Sequence, residues 1–383
     1  MERRAIYTTA DEGALVTNGK GWNFHGVDTQ EHLHSLHPYP ARFIPQIPRK
    51  AIEQWSKPGE LVYDPFCGCG TTLLEASILG RPSIGTDNND IAILVSRAKT
   101  LHYTKRSISR LRIFAESVEN WLTAAVARPE LIPSNDHVPY WFTKDIMDRL
   151  AALKGLILSE KQPEKVLLQS IFSSIIVRVS FQDSDTRYAR VPRDVTVADV
   201  GSLFRLRLLD TVRRLDDAPR GPRAKVTLKL ADARKVPFIR DRSVTLIVTS
   251  PPYLNAYDYH KYHRQRIHWL DGDVAFARDL EIGSHDEFTR PKATADKYFT
   301  DMENCLREWS RVLRPGGRCL FVVGDAIVNK RAVPVGDTFI KLFRNHGMPL
   351  EERWIRTLQA TKRSFNVRNS RITHEHVLLF KRS

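Results

Sequence analysis

The chain is poor in cysteine, in long apolar runs and in negative charge. Four cysteines in 383 residues cannot make a disulfide scaffold, which points to a reducing compartment. No stretch approaches the ~20 apolar residues that span a bilayer, and Met1-Glu-Arg-Arg lacks the apolar follow-on of a secretory signal. Membrane and secreted classes are therefore not expected. The 44 acidic residues are outnumbered by 59 Lys and Arg, a formal net charge of +15. That surplus favours a polyanionic partner, although charge alone says nothing of fold. An apolar share of 42% is enough for a packed core and excludes wholesale disorder. The length fits two or three domains, or one large α/β domain carrying an insertion.

Polar sequence without a clear period fills the first thirty residues and predicts a loosely attached arm (1–35). Prolines from Pro38 to Pro48 then hold the chain extended until a helix can start. Leu61 to Asp64 reads as a strand, Thr71 to Leu79 as a helix, Ser83 to Asp87 as a second strand and Asn89 to Ala98 as a second helix. This is the opening of a parallel sheet, and 36–104 forms one part of the α/β domain. From 105 to 222 the alternation stops and the sequence reads mainly as helices, with basic runs at Lys105–Arg112 and Arg205–Arg214. The α/β rhythm resumes at 223 and runs to 383, with strands at Val226–Leu230, Val244–Thr249, Arg318–Val323, Arg353–Leu358 and His374–Lys381. The fold expected is α/β: a doubly wound, mostly parallel sheet interrupted by a helical insertion.

Asp64-Pro-Phe-Cys-Gly-Cys-Gly-Thr-Thr72 sits where the first strand meets the first helix. Gly68 and Gly70 permit positive φ and close approach of a ligand to the backbone, and the helix start offers free N–H groups. The segment is neither the three-glycine dinucleotide fingerprint nor a phosphate loop ending in Lys-Ser/Thr. Asp87, closing the second strand, is placed to accept both hydroxyls of a ribose. Together these predict a nucleoside-cofactor site. Cys67 and Cys69 invite a metal, but Cys305 and Cys319 fall elsewhere without ligand spacing, and small side chains packing in a tight turn are the preferred reading. No metal is expected.

Val244 to Tyr253 is an apolar strand ending in Thr-Ser-Pro-Pro-Tyr. Neither Pro251 nor Pro252 can donate to the ladder, so the strand stops and leaves carbonyls free at the carboxyl end of a central strand. Such carbonyls suit an exocyclic amine, and Tyr253 offers a flat face for a planar base. Alone, the same residues would make an ordinary strand-ending turn.

Asp64-Pro-Phe-Cys-Gly-Cys-Gly-Thr and Thr249-Ser-Pro-Pro-Tyr together resemble the S-adenosylmethionine-dependent DNA amino-methyltransferases, the N4-cytosine and N6-adenine group with a Rossmann-like fold. The likeness covers about 36–100 and 225–383. His37-Pro-Tyr-Pro-Ala-Arg-Phe resembles the family segment along the methionine end of the cofactor, Leu313-Arg-Pro-Gly-Gly-Arg318 the turn before the fifth strand, and His374–Lys381 a late strand. The resemblance implies a cofactor site of Tyr39, Phe43, Asp64, Phe66, Gly68, Gly70, Thr71, Thr72, Asp87, Asn88, Asp232 and Ala233, with Asp232 at the position that contacts the adenine amine. It implies a catalytic segment Ser250, Pro251, Pro252 and Tyr253. The expected reaction is methyl transfer to an amine of a base flipped out of double-stranded DNA. The absence of a Pro-Cys dipeptide argues against the C5-cytosine class. Ser250 stands where many relatives carry Asp, which favours N4 of cytosine, with N6 of adenine as alternative. An RNA amino-methyltransferase and a non-catalytic DNA-binding relative are the other classes weighed.

The resemblance further implies a cytoplasmic enzyme of a bacterium, archaeon or phage, with a separate restriction endonuclease as its partner. Residues 105–222 are one candidate for reading DNA. Another is the basic stretch from Arg353, with eight Lys and Arg against one Glu, where Lys362, Arg363, Arg368 and Arg371 have the chemistry of phosphate and base-edge contacts. Gln182-Asp-Ser-Asp-Thr-Arg-Tyr-Ala189 is a third, through Arg187, although a helix end with local Asp–Arg pairing is the preferred reading there.

Overall fold

The computed structural model describes residues 16–18, 21–218, 221, 223–288, 294–358 and 374–383. Its centre is an eight-stranded sheet. In chain order its strands are β1 (Val16–Asn18), β2 (Val62–Asp64), β3 (Ser83–Asp87), β6 (Val226–Leu230), β7 (Val244–Thr249), β8 (Leu313–Val323), β11 (Leu350–Thr357) and β12 (His374–Lys381). Two hairpins stand apart from it, β4 (Gln182–Ser184) with β5 (Arg187–Arg190) and β9 (Ala326–Val328) with β10 (Arg331–Val333). The sheet order is β1-β11-β12-β8-β7-β2-β3-β6. All neighbours run parallel except β12, antiparallel to both β11 and β8. The mostly parallel α/β sheet read from the sequence is thus the observed one.

Local chemistry sets where the helices begin. Before the insertion come α1 (Gln46–Trp55), α2 (Thr71–Ile78) and α3 (Asp90–Thr100). Asn89 caps α3 by accepting the Ile91 N–H, which satisfies one of the donors a helix start leaves free. Between β3 and β6 lie α4 (Lys105–Ala124), α5 (Val138–Trp141), α6 (Lys144–Leu158), α7 (Glu164–Ile176) and α8 (Val197–Asp217). Thr104 and Thr143 cap α4 and α6, and Thr196 with Asp199 forms a capping box on α8. These helices bury Leu111, Phe114, Leu150, Leu167, Phe172 and Phe204 in one apolar cluster that also takes in Leu74 of α2 and Ala98 of α3. After β7 come four short helices, α9 (Tyr259–Tyr262), α10 (Arg264–Trp269), α11 (Val274–Asp279) and α12 (His285–Phe288). Then α13 (Asp296–Val312) and α14 (Val335–Asn345) cover one face of the sheet, packing Trp309, Phe339 and Phe343 against Phe321 of β8. On the other face α1 packs Ile47, Ala51 and Ile52 against Leu246, Leu320 and Val377.

Three expectations are corrected. The segment before 36 is not loose where described. Trp22 is 1% exposed and stacks on Trp55 at 6.0 Å and against Trp354 at 5.2 Å, while Val16–Asn18 adds an edge strand to β11. A polar composition concealed an aromatic anchor. Gln182–Ala189 is not a helix end but the β4–β5 hairpin, because Asp185 at its turn pairs with the buried Arg266 of α10, a partner remote in sequence. Finally, Leu313–Arg318 is not a separate turn: it already belongs to β8. Gly316 there takes φ +73°, and the Gly316 N–H donates to the Arg382 carbonyl while Gly317 accepts from Arg382.

Candidate active site

β2, β3, β6 and β7 are parallel, so Asp64, Asp87, Ala231-Asp232 and Ser250 emerge at the same edge of the sheet. The order reverses between β2 and β7, which makes this edge the crevice where doubly wound folds bind ligands. Gly70 is the N-cap of α2 with φ +76°, and its N–H closes a tight turn onto the Cys67 carbonyl at 2.7 Å. A side chain at Gly70 would overlap Ser96, whose Cα, Cβ and Oγ lie 2.6–2.9 Å from the Cβ position. At Gly68 a Cβ would sit 3.4 Å from the Tyr39 ring. The turn therefore leaves room where a side chain would otherwise fill it.

A cavity of about 890 Å³, open to solvent, occupies this crevice. It is lined by Tyr39, Phe43, Asp64, Phe66, Gly68, Thr71, Asp87, Asn88, Asp232 and Ala233 among others. Gly70 and Thr72 are not on its surface; Thr72 is buried beneath, its hydroxyl donating to the Val248 carbonyl at 3.4 Å. Asp87 accepts the Gly68 N–H at 2.9 Å and the Asn89 N–H at 3.0 Å, yet burial pushes its pKa up to about 7. Burial likewise lifts Asp64 to about 6, against the Thr249 hydroxyl that donates to it at 2.8 Å. Asp232 is held by Arg234, whose Nε lies 2.9 and 3.0 Å from its two oxygens. Cys67 and Cys69 are buried in the turn, and burial raises the Cys67 thiol well above its ordinary value. Tyr39 packs its ring on His263 at 4.8 Å.

A second cavity, about 1170 Å³ and also open to solvent, adjoins the first. Both share Ala41, Arg42, Phe43, Ser250 and Tyr259. Pro252 faces the first cavity, while Pro251 and Tyr253 face the second. The strand ends at Thr249 as its two prolines require. The carbonyls beyond are not all free, however: Tyr298 donates to the Pro252 carbonyl at 3.0 Å. Tyr253 Oη donates to Glu375 at 2.7 Å, and the Ser250 hydroxyl points to Tyr253 Oη at 3.4 Å.

Several lining residues carry no motif: Tyr259, Leu280, Glu281 and Ile282 on the first cavity, Asn255, Asp325, Arg356 and Glu375 on the second. Of these, Glu375 has a sequence signal through the late-strand resemblance and Arg356 only as part of the basic stretch from Arg353. Of the residues named for DNA contact, Arg187 lies on β5, exposed, with Asp183 at 3.5 Å. Lys362, Arg363, Arg368 and Arg371 lie outside the described residues.

A doubly wound sheet with a glycine turn after β2 and Ser-Pro-Pro-Tyr after β7 defines a methyltransferase of the Rossmann-like class. The profile of the N6_N4_Mtase family, described as DNA methylase, matches residues 4–96 and 244–383. The chain belongs to this family of S-adenosylmethionine-dependent DNA amino-methyltransferases. It is similar to the type II methyltransferase M.MvaI of Kocuria varians, 23% identical over 387 residues that cover 86% of this chain and 85% of that protein. The type II methyltransferase M.BsoBI of Geobacillus stearothermophilus is 22% identical over 66% of this chain and 56% of its own length. Among solved structures, a SAM-dependent methyltransferase of Methanosarcina mazei aligns at 10% identity and a TM-score of 0.34, covering 86% of this chain and 96% of that one.

Proposed function

We propose that the protein methylates the N4 amine of a cytosine flipped out of duplex DNA, at a specific site, as the modification enzyme of a type II system that includes a separate endonuclease. The observation that carries this reading is the junction of the two cavities at Ser250. One cavity has the lining for a nucleoside cofactor, the other is open beside a tyrosine, and a hydroxyl lies between them. The assignment to cytosine is supported by Ser250, a weaker acceptor than the Asp of many relatives and one with a donor of its own.

The first cavity fits S-adenosylmethionine. At Gly70 a side chain would overlap Ser96, Gly68 takes φ +46°, and Asp87 stands at the end of β3 to accept ribose hydroxyls. Asp232 serves the adenine amine, while Tyr39 and Phe43 flank the methionine end. Bound there, the cofactor supplies an electrophilic methyl carbon on a sulfonium sulfur, which keeps the bonding electron pair.

In the second cavity Tyr253 gives the flipped base a stacking face. Glu375 fixes its hydroxyl. The Pro251 carbonyl and the Ser250 hydroxyl accept the amine's two N–H bonds. Those bonds pull the nitrogen lone pair out of conjugation with the ring and hold it toward the first cavity, so orientation supplies much of the acceleration. The amine's surplus proton has an exit from Ser250 Oγ through Tyr253 Oη to Glu375. No enzyme nucleophile is needed, consistent with cysteines buried in the turn.

The test is chromatographic and mass-spectrometric analysis of DNA digested after reaction with the purified chain. N4-methylcytosine is expected, and N6-methyladenine as the product would overturn the reading.

A further inference from the structure

Arg356, on β11, is 7% exposed and lines the second cavity with Ser250, Pro251 and Tyr253. Its Nη1 donates to Glu375 Oε2 at 3.0 Å, and the other oxygen of Glu375 receives the Tyr253 hydroxyl. One carboxylate thus fixes both the arginine and the tyrosine. The Arg356 Nε–H is buried and has no acceptor among the described residues. Leaving a buried donor of a charged group unsatisfied carries a full desolvation penalty, so such a group calls for an explanation. A guanidinium does not escape the cost by losing its proton.

Other polar side chains on this cavity are turned to protein partners. Arg42 donates to the His34 and Thr29 carbonyls. Asn255 donates to the Ile327 carbonyl and its Oδ1 meets His285 at 2.7 Å. Asp325 pairs with His376 at 3.1 Å.

We infer that Arg356 selects cytosine in the second cavity by donating to the acceptors beside the N4 amine; the inference rests on the proposed cytosine reading. Cytosine presents N3 and O2 as adjacent acceptors next to its amine. Adenine presents only N1, followed by a C–H. A planar guanidinium with several donors matches the first edge and leaves a donor unpaired against the second. Its pairing with Glu375 offsets the charge, so the neutral base need not carry the full cost of burying a cation. Arg356 acts here as a specificity residue, while the amine is held by Ser250 and Pro251.

The experiment uses the full chain and duplexes carrying the site found by sequencing modified bases in DNA from cells that express it. The target is either cytosine or 3-deazacytosine, which keeps the amine and lacks the N3 acceptor. For the unaltered protein, kcat/KM is expected to fall at least about tenfold on 3-deazacytosine, the value of one good base-edge contact. Equal rates overturn the proposal without any variant. Arg356→Met is expected to be slow on cytosine and to discriminate less than about twofold between the two bases, with Arg356→Lys intermediate. Cofactor binding by calorimetry shows that each variant is folded. Variants that bind cofactor and still discriminate as the unaltered protein does also overturn it. A product other than N4-methylcytosine refutes the cytosine reading itself, whereas N4-methylcytosine without the discrimination refutes only Arg356.

Discussion

Cofactor binding depends on pH in a calculable way if Asp87 accepts the ribose hydroxyls as proposed. Its carboxylate accepts two backbone N–H groups, but burial outweighs them and holds its pKa at about 7. To accept two ribose hydroxyls it must be ionised, and those donors favour the ionised form. The pKa therefore drops when cofactor binds, a proton is released, and affinity rises with pH. If only the ionised form binds, Kd weakens about tenfold between pH 8 and pH 6 from Asp87 alone. Calorimetry across that range, in two buffers of different ionisation heat, measures both the affinity and the proton. Asp87→Asn removes the charge and should weaken binding about 10–150-fold, the worth of a hydrogen bond to a charged group. It should also flatten the profile to about twofold, the share left by Asp64 with its pKa of about 6. The cofactor's own α-amine titrates near pH 8 in both proteins and cancels in the comparison. A wild-type affinity that is level between pH 6 and 8, or a slope that Asp87→Asn retains, would refute the reasoning.

Ser250→Ala should lower kcat by about 10²-fold or more, in the range of a lost positioned catalytic group, while cofactor Kd stays within twofold; unchanged turnover removes Ser250 from the mechanism. Gly70→Ala forces a left-handed residue against Ser96 and should cost about 1–3 kcal/mol or more, read as a lowered midpoint in urea. Trp22→Ala should cost about 3–5 kcal/mol by the same assay, and a cost below 1 kcal/mol would return the segment around it to a loose arm. The apparent affinity for duplex should fall steeply with salt. Arg187→Ala should reduce the slope of log K against log[salt] by about one if that side chain meets a phosphate, and an unaltered slope would exclude the contact.

The parts legible in the sequence are those where local rules and tertiary structure agree. β2, β7 and β12 are apolar runs bounded by turn residues, and the Gly68–Gly70 turn announces itself by its position between a strand and a helix. Asp87, Ser250 and Tyr253 could be named because each follows directly from a strand end. Arg356 and Glu281 could not, because their surroundings come from elements far away in sequence: Arg356 meets Glu375 across the β11–β12 pair, and Glu281 reaches back to the Tyr259 N–H. The β4–β5 hairpin is hidden from the sequence for the same reason. Its polar run contains no strand period, and the guanidinium that holds its turn lies eighty-one residues away.

That hairpin has a mechanical consequence. Arg266 of α10 binds Asp185 and also donates to the Ser173 carbonyl at 3.0 Å, and Asp271 just beyond α10 takes Lys154 at 2.8 Å. The same short-helix segment carries Tyr259 at its start and Leu280, Glu281 and Ile282 at its end, a wall of the first cavity. Insertion and wall are therefore strapped together at three points. The hairpin and α7 thus share their anchoring with the segment that walls the first cavity opposite Asp87 and the glycine turn.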